Sequence, residues 1–154
     1  MEHNKDSQME LYQQVILDHN KSPRNAKEMK DFTHKAEGYN PLCGDQIVIY
    51  LKVNKDDVIE DIGFKGDGCA ISTASASMMT VSLKGKTLKE AEVIFKEFHN
   101  LIIGKLDPKK QKHSLGKLKI FSNIWHFPAR VKCAGLAWHA MNAALKKKDS
   151  VSTE

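Results

Sequence analysis

Hydrophobic and polar residues alternate along residues 45–53, which is the two-residue period of a strand with one buried face. A short turn-like stretch follows, and residues 58–65 repeat the strand pattern. The two segments together predict an antiparallel hairpin. Residues 34–39 are predicted as a third strand.

Elsewhere apolar residues recur every three or four positions, which is typical of helices. Two of these segments open with a capping box, in which a hydroxyl and a glutamate three residues later satisfy each other's backbone N–H groups. The pairs are Ser7 with Glu10 and Thr87 with Glu90. We predict that the first helix ends before Pro23, because the residue preceding a proline avoids the helical conformation.

Two further helices are predicted from other features. The segment after Cys69 is rich in alanine and serine, and we expect a closely packed helix there that ends near Gly85. The last helix begins near Pro128, which suits a first helical turn, and runs to Leu145. Residues 105–122 are harder to interpret, because Pro108 and Gly116 interrupt short helical pieces there.

These elements predict an α+β fold, with a small antiparallel β-sheet of about three strands packed with several helices. We expect a single domain over residues 1–154, which is long enough to bury a core. Residues 1–7 and 148–154 are expected to be flexible ends.

Composition and charge narrow the range of functions. Hydrophobic residues make up 41% of the chain and charged residues 28%, as in a soluble globular protein. The sequence has no apolar run long enough for a membrane span and no secretory signal, so we predict a cytoplasmic protein with no membrane partner.

The net charge is +5, but the lysines are dispersed and accompany no nucleic-acid motif. A basic surface for docking an acidic partner is therefore favoured over nucleic-acid binding.

The chain contains three cysteines, and none of them form a C-x-x-C pair. Thiols stay reduced in the cytosol, so a disulfide framework is not expected. The simplest interpretation is that the cysteines are small buried apolar residues. The residues beside each cysteine favour a different interpretation, in which the thiols are ionised.

Each cysteine lies where a thiolate would be stabilised. Cys43 and Asp45 flank Gly44, whose missing Cβ allows a tight turn that aims both side chains at one point. Cys69 follows a glycine turn at a predicted helix N-terminus, where backbone N–H groups favour the ionised thiol. Cys133 lies early in the last helix.

Two basic residues, Arg130 and Lys132, precede Cys133 and are expected to favour its thiolate form. Three thiolates with the carboxylate of Asp45 would form a tetrahedral set that suits zinc or an iron–sulfur cluster far better than magnesium or calcium. Asp45 is the hardest donor among soft sulfurs, which makes it the natural ligand to dissociate. His139 would point away from Cys133 on the helix, and His126 stays open as a less favoured alternative ligand.

Three motifs together resemble the U-type iron–sulfur cluster assembly family. They are NPLCGD at 40–45, GDGCAIS at 66–72 and FPARVKC at 127–133, and the resemblance runs from about residue 11 to 145. It is closer to the SufU branch than to the IscU branch. In IscU proteins a histidine usually precedes the third cysteine, where this chain has Lys132, and the stretch before that cysteine is shorter.

The resemblance implies an α+β fold and a SufU-type function, the zinc-dependent acceptance of persulfide sulfur from a SufS-type cysteine desulfurase. Zinc would be held by Cys43, Asp45, Cys69 and Cys133, and Cys43 would be the persulfide acceptor. Arg130 would balance charge at the site. The protein would act as a sulfurtransferase-type partner of the desulfurase and pass sulfur to downstream iron–sulfur assembly or acceptor proteins.

Two alternatives remain open from the sequence. The first is an IscU-like scaffold that builds and transfers a 2Fe–2S cluster on Cys43, Cys69 and Cys133. The second is a basic binding module in which zinc is purely structural.

Overall fold

A four-stranded sheet and four α-helices make up the fold, in a computed structural model that describes the backbone of residues 2–153 and the side chains of residues 9–153. The strands are β1 His34–Asn40, β2 Asp45–Val53, β3 Ile59–Asp67 and β4 Ser150–Ser152. The helices are α1 Glu2–Lys21, α2 Ala70–Leu83, α3 Leu88–Ile102 and α4 Pro128–Leu145, with a 3-10 helix at Gly116–His126.

The sheet has the strand order β3-β2-β1-β4. Both β1–β2 and β2–β3 are antiparallel, so the predicted hairpin and the third strand are confirmed. The α+β class is also confirmed, but the sheet is mixed, because β4 pairs in parallel with β1. The three residues of β4 lie within 148–154, the segment expected as a flexible end.

Most of the predicted helices are present. The capping box of α3 is confirmed, since Glu90 N–H donates to Thr87 Oγ1 at 3.1 Å and Thr87 N–H donates to Glu90 Oε1 at 3.0 Å. Helix α4 begins at Pro128 as expected. Helix α1 begins at Glu2, earlier than predicted, and the capping role proposed for Ser7 concerns a side chain outside the described residues.

Residues 105–122, unassigned from the sequence, contain turns and the first part of the 3-10 helix. This helix makes three-residue turns without a sustained apolar period, which explains why the pattern was not informative. It still contributes to the core, because Leu118 and Phe121 are fully buried.

The core lies between the sheet and the helices. Its largest fully buried side chains include Trp138, whose ring stacks on Phe98 with the centroids 4.4 Å apart. Small residues on α2 let α4 approach closely. Ser75 Oγ–H donates to the carbonyl of Ala134 at 2.6 Å and accepts from Trp138 Nε1 at 3.1 Å. These bonds satisfy polar groups that burial would otherwise leave unpaired.

Within residues 2–153, no helix is long and apolar enough to cross a membrane. The cytoplasmic location stays a prediction.

Gly66 is required where β3 leads towards Cys69. Its φ is +143°, and an added Cβ would lie 2.9 Å from Ile47 Cα as well as against the backbone of Gln46. We expect Gly66→Ala to lower the free energy of unfolding by about 2 kcal/mol or more, because the β2–β3 pairing must open to admit the methyl group.

Urea unfolding measures this effect, and Gly85→Ala is the matched control. Gly85 also has positive φ, +86°, but an added Cβ would have no neighbour within 4 Å. The control should cost only about 1 kcal/mol of backbone strain. Equal losses for the two variants would show that the close approach at Gly66 is unimportant.

Candidate metal centre

Cys43 is carried by the turn that joins β1 to β2. Asn40 and Asp45 are paired at the base of this turn, and Cys43 N–H donates to the Asn40 carbonyl at 3.3 Å. Pro41 occupies the second turn position, where its fixed φ is favourable, and Gly44 takes the left-handed conformation with φ +70°. The thiol of Cys43 is therefore presented at the surface.

Cys69 is the N-cap residue of α2. Its backbone is extended, and its sulfur accepts from the Ser72 backbone N–H at 3.5 Å. The predicted location at a helix N-terminus is therefore confirmed. A backbone donor from the first turn of α2 therefore lies against this sulfur.

Asp45 is nearly buried, at 5% exposure, and both of its carboxylate oxygens accept hydrogen bonds from α2. Oδ1 accepts from the Cys69 backbone N–H at 3.0 Å, and Oδ2 accepts from the Ser72 hydroxyl at 2.6 Å. The first residue of β2 is thus tied to the first turn of α2. A carboxylate held this way has little freedom to rotate.

Cys133 lies in the second turn of α4 and is buried. Its sulfur is 3.6 Å from Cys43 Sγ and accepts from Asn40 Nδ2 at 3.6 Å. Burial has the largest effect on the pKa of Cys133 and raises it well above its usual range. Hydrogen bonds to the thiols of Cys69 and Cys43 raise it further. The expectation that basic residues nearby favour its thiolate is wrong, because burial has the larger effect.

The side chains of Cys43, Asp45 and Cys133 each place one ligand atom within 4.8 Å of the others. In a tetrahedral zinc site with Zn–S bonds of about 2.3 Å, neighbouring sulfurs lie roughly 3.8 Å apart, close to the observed Cys43–Cys133 separation. Cys69 lies outside this three-residue set, but its thiol interacts with Cys133. The structure therefore brings three of the four predicted ligands together and holds the fourth at their border.

Arg130 packs against an aromatic ring at the surface. It is exposed, and its guanidinium group lies over the ring of Phe127, 4.5 Å from the centroid. Burial raises the pKa of Tyr12, the charge of Arg130 opposes that shift, and Cys69 adds to it. Arg130 thus acts electrostatically on Tyr12, and its charge-balancing role at the metal ligands stays a prediction.

Lys132 lines a cavity, and His126 and His139 pack against aromatic rings. Lys132 lines a cavity of about 280 Å³ together with His99 and His139. The ring of His139 packs against His99, with centroids 5.5 Å apart. His126 is exposed and stacks on Trp125, with centroids 3.8 Å apart. Neither His126 nor His139 belongs to the cluster of candidate ligand atoms found among the described residues.

Sequence reasoning missed two buried polar residues of the centre. Asn40, at 1% exposure, donates to Cys133, and Ser72, at 3%, donates to Asp45. The sequence does contain a signal that could have identified Ser72. Ser72 lies three residues after the N-cap Cys69, which is the spacing at which a side chain faces the cap.

A family model described as the NifU-like N-terminal domain matches residues 11–134. The chain belongs to this family. The NifU-like family includes the proteins that the three cysteine motifs resemble, so the predicted resemblance is confirmed.

Named relatives come from both branches of the NifU-like family. The chain is 40% identical over 139 residues to the zinc-dependent sulfurtransferase SufU of Bacillus subtilis, covering 90% of this chain and 92% of that protein. It is 39% identical over 137 residues to the iron–sulfur cluster assembly scaffold protein IscU of Streptococcus pyogenes, covering 89% and 84%.

The fold is also that of a NifU-like protein. A crystal structure of a putative iron–sulfur cluster assembly scaffold protein for the SUF system, from Fervidobacterium islandicum, superposes with a TM-score of 0.78. The two sequences are 34% identical, and the match covers 85% of this chain and 93% of that one.

The different exposures of the three cysteines predict an order of alkylation. After treatment with a metal chelator, Cys43 should react with iodoacetamide first, Cys69 next and Cys133 last, because accessibility falls in that order and burial also raises the pKa of Cys133. Peptide mass spectrometry over a time course measures the three rates. Unfolding the protein in urea should abolish the order. A Cys133 rate equal to that of Cys43 in the folded protein would contradict the arrangement described above.

Proposed function

We propose that this protein is an iron–sulfur cluster assembly protein of the SufU type, which accepts persulfide sulfur from a SufS-type cysteine desulfurase in a zinc-dependent manner. One observation carries the proposal. Cys43 is exposed on a turn, whereas the adjacent candidate ligands Asp45 and Cys133 are buried and hydrogen-bonded. One thiol can leave such a group while the framework around the others stays intact.

The donor set fits zinc, with Cys43, Asp45, Cys69 and Cys133 as the residues that would hold it. Thiolate sulfur is a ligand that zinc prefers, and the Cys43–Cys133 spacing needs little adjustment. A bound zinc ion would keep its cysteine ligands ionised at neutral pH. Cys69 is then required to turn its sulfur from Ser72, 3.4 Å away, towards the other three donors.

In the proposed step, the Cys43 thiolate attacks the terminal sulfur of the partner's cysteine persulfide. A new sulfur–sulfur bond forms on Cys43, the partner's sulfur–sulfur bond breaks, and the partner's cysteine leaves as a thiolate. This is ordinary thiol–persulfide exchange, and it needs no external oxidant or reductant. Exposure of Cys43 is what allows the in-line approach of a partner cysteine.

The surface around Cys43 suits a docked protein. Leu42, the neighbour of Cys43 in the turn, is 68% exposed. An exposed apolar side chain beside an exposed thiol suits the buried core of an interface, so the desulfurase is proposed to bind at this turn. Sulfur would pass from Cys43 to downstream assembly or acceptor proteins.

The decisive experiment measures turnover of a SufS-type desulfurase with and without this protein. Wild type should stimulate turnover, and Cys43→Ala should reduce the rate to that of the desulfurase alone, because the accepting thiol is gone. Val81→Ala is the matched control, since Val81 is exposed on α2, twelve residues beyond the N-cap. Undiminished stimulation by Cys43→Ala would refute sulfur acceptance at this residue.

The same variants distinguish a module with a purely structural zinc. In that case Cys43→Ala would change only the melting temperature, and wild type would leave desulfurase turnover unaffected.

A cluster scaffold is the second candidate function, favoured by the 39% identity to a protein named as an IscU scaffold. A scaffold would use the same donor residues, but these residues would hold an iron–sulfur cluster instead of zinc. Here the 2Fe–2S cluster is the cargo, built on Cys43, Cys69 and Cys133 and handed to an acceptor protein.

Metal and acid-labile sulfide analysis of protein purified without oxygen separates the two functions. We expect about one zinc per chain and no labile sulfide, since three thiolates and a carboxylate complete four positions. Treatment with a chelator followed by re-addition of zinc should restore desulfurase stimulation. Iron with an equal amount of sulfide, transferable to an acceptor protein, would make the scaffold the primary function.

A further inference from the structure

We infer that Ser72 is a positioning residue that fixes the carboxylate of Asp45 in the orientation needed to bind the metal. This inference rests on the proposed metal site. It assigns a role to a residue that contributes no ligand atom to that site.

The contacts of Ser72 lie at the centre of the candidate ligands. Its hydroxyl is 2.6 Å from Asp45 Oδ2 and 3.4 Å from Cys69 Sγ, and its backbone N–H donates to the same sulfur. The hydroxyl is also 3.2 Å from the backbone carbonyl of Cys133. A single buried serine thus touches three of the four proposed ligand residues.

A hydroxyl has one proton, so Ser72 can donate to only one of these acceptors at a time. The acceptor at 2.6 Å is the carboxylate of Asp45, whereas the carbonyl of Cys133 is more distant and uncharged. Hydrogen bonds to charged acceptors are shorter and about twice as strong as neutral ones. Ser72 therefore donates its hydrogen bond to Asp45. The serine thus holds a candidate ligand and is not only a link between α2 and α4.

Two fixed hydrogen bonds set the plane of the Asp45 carboxylate. Oδ1 is held by the Cys69 N–H and Oδ2 by Ser72, at the positively polarised end of α2. Each carboxylate oxygen has two lone pairs, so each keeps one that is free for a metal ion. The expectation that Asp45 is the ligand most ready to dissociate does not fit this arrangement, because rotation would break both bonds in a buried site.

The test compares zinc affinity in Ser72→Ala, Ser75→Ala and wild type by competition with a chromophoric chelator. Ser75 lies one turn further along α2, is equally buried, and hydrogen-bonds to a backbone carbonyl of α4 rather than to a ligand side chain. We expect Ser72→Ala to bind zinc 10- to 100-fold more weakly, the usual range for a lost outer hydrogen bond, and Ser75→Ala to bind like wild type.

Absorption of the cobalt-substituted proteins gives a readout that folding alone does not change. The visible bands of tetrahedral Co²⁺ should shift in position or intensity in Ser72→Ala and stay unchanged in Ser75→Ala. Ser72→Thr should retain wild-type affinity, because it keeps the hydroxyl.

The inference would be overturned by any of the following results. Wild-type zinc affinity in Ser72→Ala would show that the hydroxyl is not needed, and equal weakening in Ser72→Thr or Ser75→Ala would point to packing. If wild type itself bound no zinc, the proposed function would fail together with the inference. If wild type bound zinc and stimulated the desulfurase while Ser72→Ala retained full affinity, the inference alone would fail.

Discussion

The hydrogen bonds of the Asp45 carboxylate to the first turn of α2 connect the sheet to the helices at the centre of this molecule. Asp45 is nearly buried, and a buried carboxylate is costly unless its oxygens are paired. The Cys69 N–H and the Ser72 hydroxyl supply that pairing, and the helix N-terminus adds a favourable field. The start of β2 and the start of α2 are consequently fixed against each other, and the β1–β2 turn is fixed with them.

This constraint makes the candidate centre asymmetric. Cys69 caps a helix, Cys133 lies inside another helix, and Asp45 begins a strand, so all three are held by regular structure. Cys43 alone lies on a turn, with its thiol exposed. A thiol on a surface turn, supported by neighbours in regular structure, would combine access for a partner with a fixed reference geometry. The asymmetry follows from the fold and requires no separate moving part.

The sequence predicts most of this fold because its patterns are local. The alternation in β2 and the capping box at Thr87 depend on residues within a few positions of one another. The strand β4 is different, since three residues without a period are paired only because α4 returns the chain to the edge of β1. The 3-10 helix likewise depends on the core that buries it rather than on its own pattern.

At the candidate site, too, local motifs can be predicted from the sequence, whereas contacts with distant parts of the chain cannot. The motifs single out the three cysteines and Asp45, but they do not give the burial that raises the pKa of Cys133. Nor do they show that Arg130 faces Phe127 or that Lys132 lines a separate cavity. The direction of a side chain depends on which elements pack around it. Basic residues near a cysteine in the sequence are therefore weak indicators of basic charge at its sulfur.

The location of Lys132 bears on the choice between sulfur acceptor and scaffold. In the IscU branch a histidine usually occupies this position. Here Lys132 lines the cavity that His99 and His139 also line, and Asp45 is the non-sulfur member of the group of candidate ligands found among the described residues. In the proposed zinc site, the two hydrogen bonds from Cys69 and Ser72 would hold Asp45 in place as the fourth donor beside three thiolates. Cys43, which lies exposed on its turn, would then be the thiol that exchanges under the same proposal.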